Sequence, residues 1–192
     1  MKNVLAIVLT LLIVAPAHGD GSSSSMASAS PPVGEQPPLS RRFKILLLQG
    51  ANLSYLGRRE PEIYGTTTAA ELDSILRTHA EKHRYDIEIF YTHVEGVAIE
   101  RLYRAVDEGF DGVVMNPGGF TYNGYALRDC LRTLPFPYIE VHITNLDKRG
   151  IRSVPAEVAI GVISGFGADT YVMGLDAMLN LLVQKGGSSH SC

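Results

Sequence analysis

Residues 43–48 read FKILLL, an apolar run that only Lys44 interrupts. Four more short apolar runs follow along the chain, at residues 87–91, 112–115, 138–141 and 160–163. Strands that are apolar at nearly every position are typical of a parallel sheet, because helices cover both of its faces. We therefore predict a five-stranded parallel sheet.

The segments between these runs have helical spacing. Residues 72–79, 99–106 and 175–182 repeat the step i, i+3, i+4, i+7, and a fourth helix is predicted at 125–134. Strands alternating with helices predict a doubly wound α/β domain with helices on both faces of the sheet. Ligands of such sheets bind beyond the carboxyl ends of the strands, so the polar residues there are the candidate site.

The N-terminal residues are predicted to lie outside this domain. Lys2, an apolar run at 4–14 and a small-residue end at 15–19 are typical of a secretory signal peptide at 1–19. The run is shorter than the about 20 residues of a membrane span, although an uncleaved amphipathic anchor is an alternative. We expect export to the periplasm or the medium, with no stable membrane insertion after processing.

Residues 20–42 are rich in serine and proline and are a predicted linker, since they have few apolar side chains to offset the entropy of ordering. The folded domain is predicted at residues 43–185 and a flexible tail at 186–192. The two cysteines are Cys130, in a helical pattern, and Cys192, on the tail, so no structural disulfide is expected.

Charge and histidine spacing argue against two kinds of partner. The net charge is −3 with no basic stripe, which argues against nucleic acid. His79 and His83 lie in the run HAEKH, which is not HExxH, and no third ligand is apparent, so no metal site is expected. His93 closes a strand and is a weaker candidate for ligand contact.

The connection at residues 49–65, QGANLSYLGRREPEIYG, exceeds the about 2–6 residues that are usual after a strand. It carries Asn52, Arg59 and Tyr64. Tyrosine is a weak base at neutral pH, but guanidinium groups beside it stabilise its phenolate. Tyr64 is therefore a candidate base, and the alternative is a mobile surface loop with solvated arginines.

Glu140 and His142 are two residues apart in a predicted strand, so their side chains share one face of the sheet. A charged pair in an apolar strand is costly unless it is used or compensated. Glu140 can orient the imidazole and stabilise its charged form, which makes His142 a candidate general acid. The alternative is a purely structural ion pair.

A third group of residues has the features of an anion site. Asn116 and the run Pro117-Gly118-Gly119 precede a helix, and Thr144 follows the next strand. Together they predict a site that binds a carboxylate. A Pro-Gly-Gly run alone indicates only a turn. Arg149 and Arg152 could cover a bound anion, or could be solvated surface charges.

Three segments together resemble the type II 3-dehydroquinate dehydratases. They are residues 45–65 with the pattern NLxxLGxREPxxYG, residues 115–129 beginning MNPGGFT, and residues 139–145, IEVHITN. The resemblance spans about residues 43–183. It implies a flavodoxin-like fold, assembly into trimers or dodecamers, and a cofactor-free conversion of 3-dehydroquinate to 3-dehydroshikimate and water.

The resemblance also implies roles for the catalytic residues. Tyr64 would take the proton next to the ketone, with Arg59 tuning the tyrosine and stabilising the transition state. Asn52 would hold a water near the developing enolate. His142, oriented by Glu140, would protonate the departing hydroxyl.

Substrate-binding roles follow from the same resemblance. Asn116 and the backbone of Ile143 and Thr144 would bind the substrate carboxylate. Asp129 would reach a ring hydroxyl from a neighbouring subunit, and Arg149 matches the family's lid arginine beside the tyrosine.

The sequence departs from the family pattern at three places. Ala51 replaces a proline, Tyr122 replaces a histidine that contacts substrate hydroxyls, and the chain after Arg149 is about three residues shorter. Arg152 is the nearest counterpart of the second lid arginine. These changes leave open a lyase of the same mechanism on a related cyclic hydroxy-acid. A non-catalytic, metabolite-binding module is another alternative, and export favours quinate catabolism over biosynthesis.

Overall fold

A computed structural model of the protein describes residues 41–188, in which five parallel strands form one sheet of order β2-β1-β3-β4-β5. The strands are β1 Lys44–Ala51, β2 Asp86–Tyr91, β3 Gly112–Gly118, β4 Tyr138–His142 and β5 Gly161–Ser164. The helices are α1 Pro61–Tyr64, α2 Ala69–His83, α3 Glu95–Asp107, α4 Tyr125–Thr133 and α5 Asp169–Ser188. This strand order is that of the flavodoxin-like fold, so the predicted fold class is confirmed.

Side chains of the FKILLL run belong to the two hydrophobic cores, one on each face of the sheet. Ile45 and Leu47 pack against α2 and α5 on one face, whereas Leu46 and Leu48 pack against α3 and α4 on the other. All four side chains have 0% of their surface exposed. Full burial of one such side chain contributes about 1.5–3 kcal/mol, so a polar residue at any of these positions would destabilise one of the two layers.

Helix α2 begins with a capping box formed by Thr68 and Glu71. The Thr68 hydroxyl accepts a hydrogen bond from the Glu71 amide at 3.2 Å, and the Glu71 carboxylate accepts one from the Thr68 amide at 2.8 Å. These bonds satisfy two amides that have no partner within the helix. They fix the point at which the long connection after β1 ends.

Contacts and helical structure continue on both sides of residues 43–185. Arg41 forms an ion pair with Asp111 at 2.5 Å, and Arg42 donates to the Tyr85 carbonyl at 2.8 Å, so the last two residues of the predicted linker are anchored. Helix α5 continues to Ser188, into the predicted tail. The two glycines near this end are compatible with a helix, because one glycine weakens a helix by only about 1 kcal/mol relative to alanine.

Other predictions fall partly or wholly outside the described residues. The signal peptide at 1–19 and most of the linker lie there, as do residues 189–192 with Cys192. Cys130 is a buried free thiol on α4. Within residues 41–188, no helix combines the length and apolarity that a bilayer span requires.

Candidate active site

A cleft lies at the carboxyl ends of β1, β3 and β4, where the topology predicts a ligand site. It contains about 620 Å³ of space, part of which is open to solvent. Nine of the predicted site residues line it: Asn52, Arg59, Tyr64, Asn116, Tyr122, His142, Ile143, Thr144 and Arg149.

Strand β4 carries a row of three polar side chains behind the cleft. Glu140 is fully buried, and its Oε1 lies 2.6 Å from Nε2 of His142. The Tyr138 hydroxyl donates to the other carboxylate oxygen. Burial beside Glu140 raises the pKa of Tyr138, so this phenol stays protonated and remains a donor. Because Nε2 of His142 is engaged, Nδ1 is the ring nitrogen left for a bound molecule.

The phenol of Tyr64 lies between two guanidinium groups. Arg149 donates from Nη2 to the Tyr64 hydroxyl at 3.3 Å, and its Cζ lies 5.4 Å from the ring centroid. The Cζ of Arg59 lies 5.1 Å from the same centroid. Arg59 also pairs with Glu60 at 2.9 Å, which offsets part of its charge. Cations held around a phenol favour chemistry in which the oxygen carries negative charge.

Arg149 also joins the two sides of the cleft. Its Nη1 donates to the Thr144 hydroxyl at 2.9 Å while Nη2 contacts Tyr64. Thr144 and Ile143 follow directly after β4, so the same guanidinium connects the β4 side of the cleft to the segment that carries Tyr64. This explains how a residue from the loop after β4 comes to lie beside the end of α1.

The connection after β1 is held in an unusual backbone conformation. Asn52 and Glu60 have φ values of 79° and 40°, in the left-handed region that non-glycine residues rarely adopt. His93 stabilises the first of these turns, because its Nδ1 accepts from the Asn52 amide at 3.0 Å and its Nε2 lies 3.0 Å from the Ser54 hydroxyl. His93 does not line the cleft, so it supports Asn52 from behind.

Asn116 is oriented by partners on both sides of its amide. Its Nδ2 donates to the Tyr171 hydroxyl at 2.8 Å, and its Oδ1 accepts from the Gly118 amide at 3.1 Å. Tyr171, on α5, donates in turn to Oε1 of Gln49 at 3.0 Å. One hydrogen of the Asn116 amide remains for a ligand.

Two glycines let the ends of β1 and β3 approach each other closely. A Cβ on Gly50 would lie 1.9 Å from the Pro117 carbonyl oxygen, and one on Gly118 would lie 2.3 Å from the Ala51 oxygen. Gly118 also has a φ of 56°, which favours glycine. This close approach brings the residues that follow β1 next to the residues that end β3.

Comparison with known proteins agrees with this geometry. The family described as dehydroquinase class II matches residues 43–179. The chain belongs to the class II dehydroquinase family.

The match between this dehydroquinase and individual relatives covers nearly the whole length of each relative. A 3-dehydroquinate dehydratase of Thioalkalivibrio sulfidiphilus is 43% identical over 72% of this chain and 96% of its own. One of Desulforudis audaxviator is 44% identical over 78% of this chain and 100% of its own. The crystal structure of type II dehydroquinase from Butyrivibrio crossotus has a TM-score of 0.69, with 35% identity over 71% of this chain and 97% of that one.

Three predicted site residues of this dehydroquinase do not line the cleft. Glu140 lies behind His142, as its orienting role requires. Asp129 projects from α4 with 63% of its side chain exposed and pairs with Arg128. Arg152 is 85% exposed and pairs with Glu157 at 3.1 Å. The role of Arg152 as the second lid arginine stays a prediction.

Two residues that position the site were not predicted. Tyr138 could have been found, because it continues the two-residue alternation of Glu140 and His142 back along β4. Tyr171 could not, because its partner Gln49 lies 122 residues away and no local pattern connects them.

Replacement of Tyr171 by phenylalanine should lower the free energy of unfolding by about 1–3 kcal/mol. The ring would remain, but buried amide groups of Gln49 and Asn116 would each lose a hydrogen-bond partner. Urea denaturation measures this change. The matched control is Tyr125→Phe, because Tyr125 is 57% exposed. Equal stabilities of the two variants would contradict the assigned network.

Proposed function

We propose that this enzyme, a dehydratase acting on 3-dehydroquinate, uses Tyr64 as the base and His142 as the acid. The observation that carries the proposal is that a phenol flanked by two guanidinium groups shares one cleft with an imidazole bonded to a buried carboxylate. Such a pair suits a reaction that removes a proton and a hydroxyl group from one molecule.

The first step is removal of the proton next to the ketone. Deprotonated Tyr64 takes this proton, and the electrons of the C–H bond form an enolate. Arg149 and Arg59 stabilise the negative charge while it resides on the phenol and as it moves to the substrate. Asn52 holds a water against the enolate oxygen.

The second step is loss of the hydroxyl group. Nδ1 of His142 donates a proton to the departing oxygen, because hydroxide alone is a poor leaving group. The enolate electrons re-form the ketone and create a conjugated double bond, and water is released. Glu140 keeps the imidazole in place throughout. Solvent then returns a proton to His142 and removes one from Tyr64.

The substrate carboxylate binds on the β3 and β4 side of the cleft. The free hydrogen of the Asn116 amide and the backbone amides of Ile143 and Thr144 are the donors. Nothing in this scheme requires a cofactor, because the protein supplies both the base and the acid.

Replacement of Tyr64 by phenylalanine should reduce kcat at least about 10²-fold, the lower end for loss of one acid–base group. Substrate binding should persist, because the ring and both arginines remain. The assay follows the absorbance of the conjugated enone formed from 3-dehydroquinate, and isothermal titration measures binding. Tyr55→Phe is the control, because Tyr55 lies in the same connection, is 59% exposed and does not line the cleft. A Tyr64→Phe enzyme that keeps wild-type turnover would refute the assignment of the base.

Tyr122 favours a second candidate substrate, a related cyclic hydroxy-acid. It lines the cleft with 61% of its surface exposed, at the position where the family's histidine contacts substrate hydroxyls. Analogues altered at the ring hydroxyls separate the two candidates. If one analogue is turned over with a higher kcat/KM than 3-dehydroquinate, that analogue replaces 3-dehydroquinate as the proposed substrate. The proposed roles of Tyr64 and His142 are then unaffected.

The enzyme acts as a homo-oligomer, a trimer or a dodecamer, in which Asp129 reaches the ring hydroxyl in a neighbouring subunit. In support, Asp129 is exposed and does not line its own cleft, and edge strand β5 leaves Val162 49% exposed beside Ile160 at 58%. Exposed apolar edges usually have a partner in solution. Light scattering should give the mass of three or twelve chains, and a monomer at assay concentration would contradict this assembly.

The enzyme works outside the cytoplasm in quinate breakdown, with residues 1–19 removed. The sequence pattern of these residues supports this, since a short basic start and an eleven-residue apolar run precede a small-residue end. N-terminal sequencing of the protein from its own cells should begin near residue 20. A protein that retains Met1 and fractionates with cytoplasmic markers would exclude export.

A further inference from the structure

A cluster of metal-ligand side chains lies between α2 and α5, outside the active site. It consists of His79 and His83 on α2 and Asp176 on α5, whose ligand atoms all lie within 4.8 Å of one another. The His79 and His83 rings stack with centroids 4.2 Å apart, and Nε2 of His79 lies 3.1 Å from Oδ1 of Asp176. The sequence showed only two ligands because the third is 97 residues from His79.

A buried tyrosine orients the central histidine of this cluster. The Tyr85 hydroxyl lies 2.9 Å from Nδ1 of His79, and Tyr85 is only 1% exposed. When Nδ1–H donates to this hydroxyl, the lone pair of Nε2 faces Asp176 and His83. Metal-ligating histidines are commonly held in this way by a partner on the other ring nitrogen.

We propose that His79, His83 and Asp176 bind one zinc ion, with water as a fourth ligand. Two imidazoles and one carboxylate form a donor set that zinc accepts in tetrahedral geometry. Histidines at i and i+4 on a helix are a common basis of zinc sites. Zinc–ligand distances of about 2.0–2.1 Å place ligand atoms roughly 3.3 Å apart, which His79 and Asp176 already approach. His83 is exposed, so its ring has room to turn towards the ion.

The position of the cluster indicates a structural role for the ion. Tyr85 directly precedes β2, so the cluster lies towards the amino ends of the strands, whereas the cleft lies at their carboxyl ends. Helices α2 and α5 pack on the same face of the sheet and share one core. A bound ion therefore ties two helices of one layer together and takes no part in the dehydratase chemistry.

Zinc titration of the untagged protein in competition with a chelating dye tests the site. One ion should bind per chain, and zinc at about 100 times its dissociation constant should raise Tm by roughly 5–10 °C. His83→Gln and Asp176→Asn should each raise the dissociation constant at least about tenfold and remove the Tm rise. Glu81→Gln, on the exposed face of the same helix, should bind zinc as the wild type does. Turnover of 3-dehydroquinate by His83→Gln should be unchanged.

Three results would overturn the site. The first is a wild-type protein that binds no zinc at millimolar concentration. The second is a His83→Gln protein, with an unchanged circular dichroism spectrum, that binds zinc as tightly as the wild type. The third concerns cobalt substitution, because a near-ultraviolet thiolate-to-cobalt band would assign the ion to a cysteine ligand. If Asp176→Asn does not fold, His83→Gln decides alone, since His83 is exposed.

Discussion

The site depends on a carboxylate with no access to water. Glu140 lies inside a parallel sheet, where an unpaired charge would cost several kcal/mol. Tyr138 and His142 occupy its two oxygens, and both come from the same strand at two-residue spacing. The fold therefore requires these two partners of Glu140 as much as the chemistry does. A sheet that buries Glu140 therefore favours one orientation of the imidazole, in which Nε2 contacts this carboxylate.

Backbone contacts position the rest of the cleft around Tyr138, Glu140 and His142. The close approach at Gly50 and Gly118 sets the distance between β1 and β3. Beyond it, the left-handed turn at Asn52 is fixed by His93. Residues in sparsely populated backbone regions persist only where their surroundings hold them, and such residues cluster at functional sites. Close backbone contacts thus hold this part of the cleft, whereas Tyr64 lies on a four-residue helix between two connections.

Local pattern predicted much of the fold, because the deciding interactions are close in sequence. The FKILLL run alternates between two cores, and Thr68 and Glu71 are three residues apart. Family resemblance named most cleft residues. The contacts that the sequence did not predict join residues that are far apart in the chain, such as Tyr171 with Gln49 and Asp176 with His79. Arg152 stays a prediction, because it lies beside Glu157 and charge alone does not say where a flexible side chain points.

Arg149 connects the two ends of the cleft, because it contacts a residue at each end. One guanidinium holds the Thr144 hydroxyl and the Tyr64 hydroxyl together. An anion that settles beside Thr144 competes for this guanidinium, and each hydrogen bond that it wins changes the charge around the phenol. Occupancy of one end of the cleft and the charge around the phenol at the other end are consequently linked through a single side chain. A ligand that lacks a carboxylate would enter without producing this coupling.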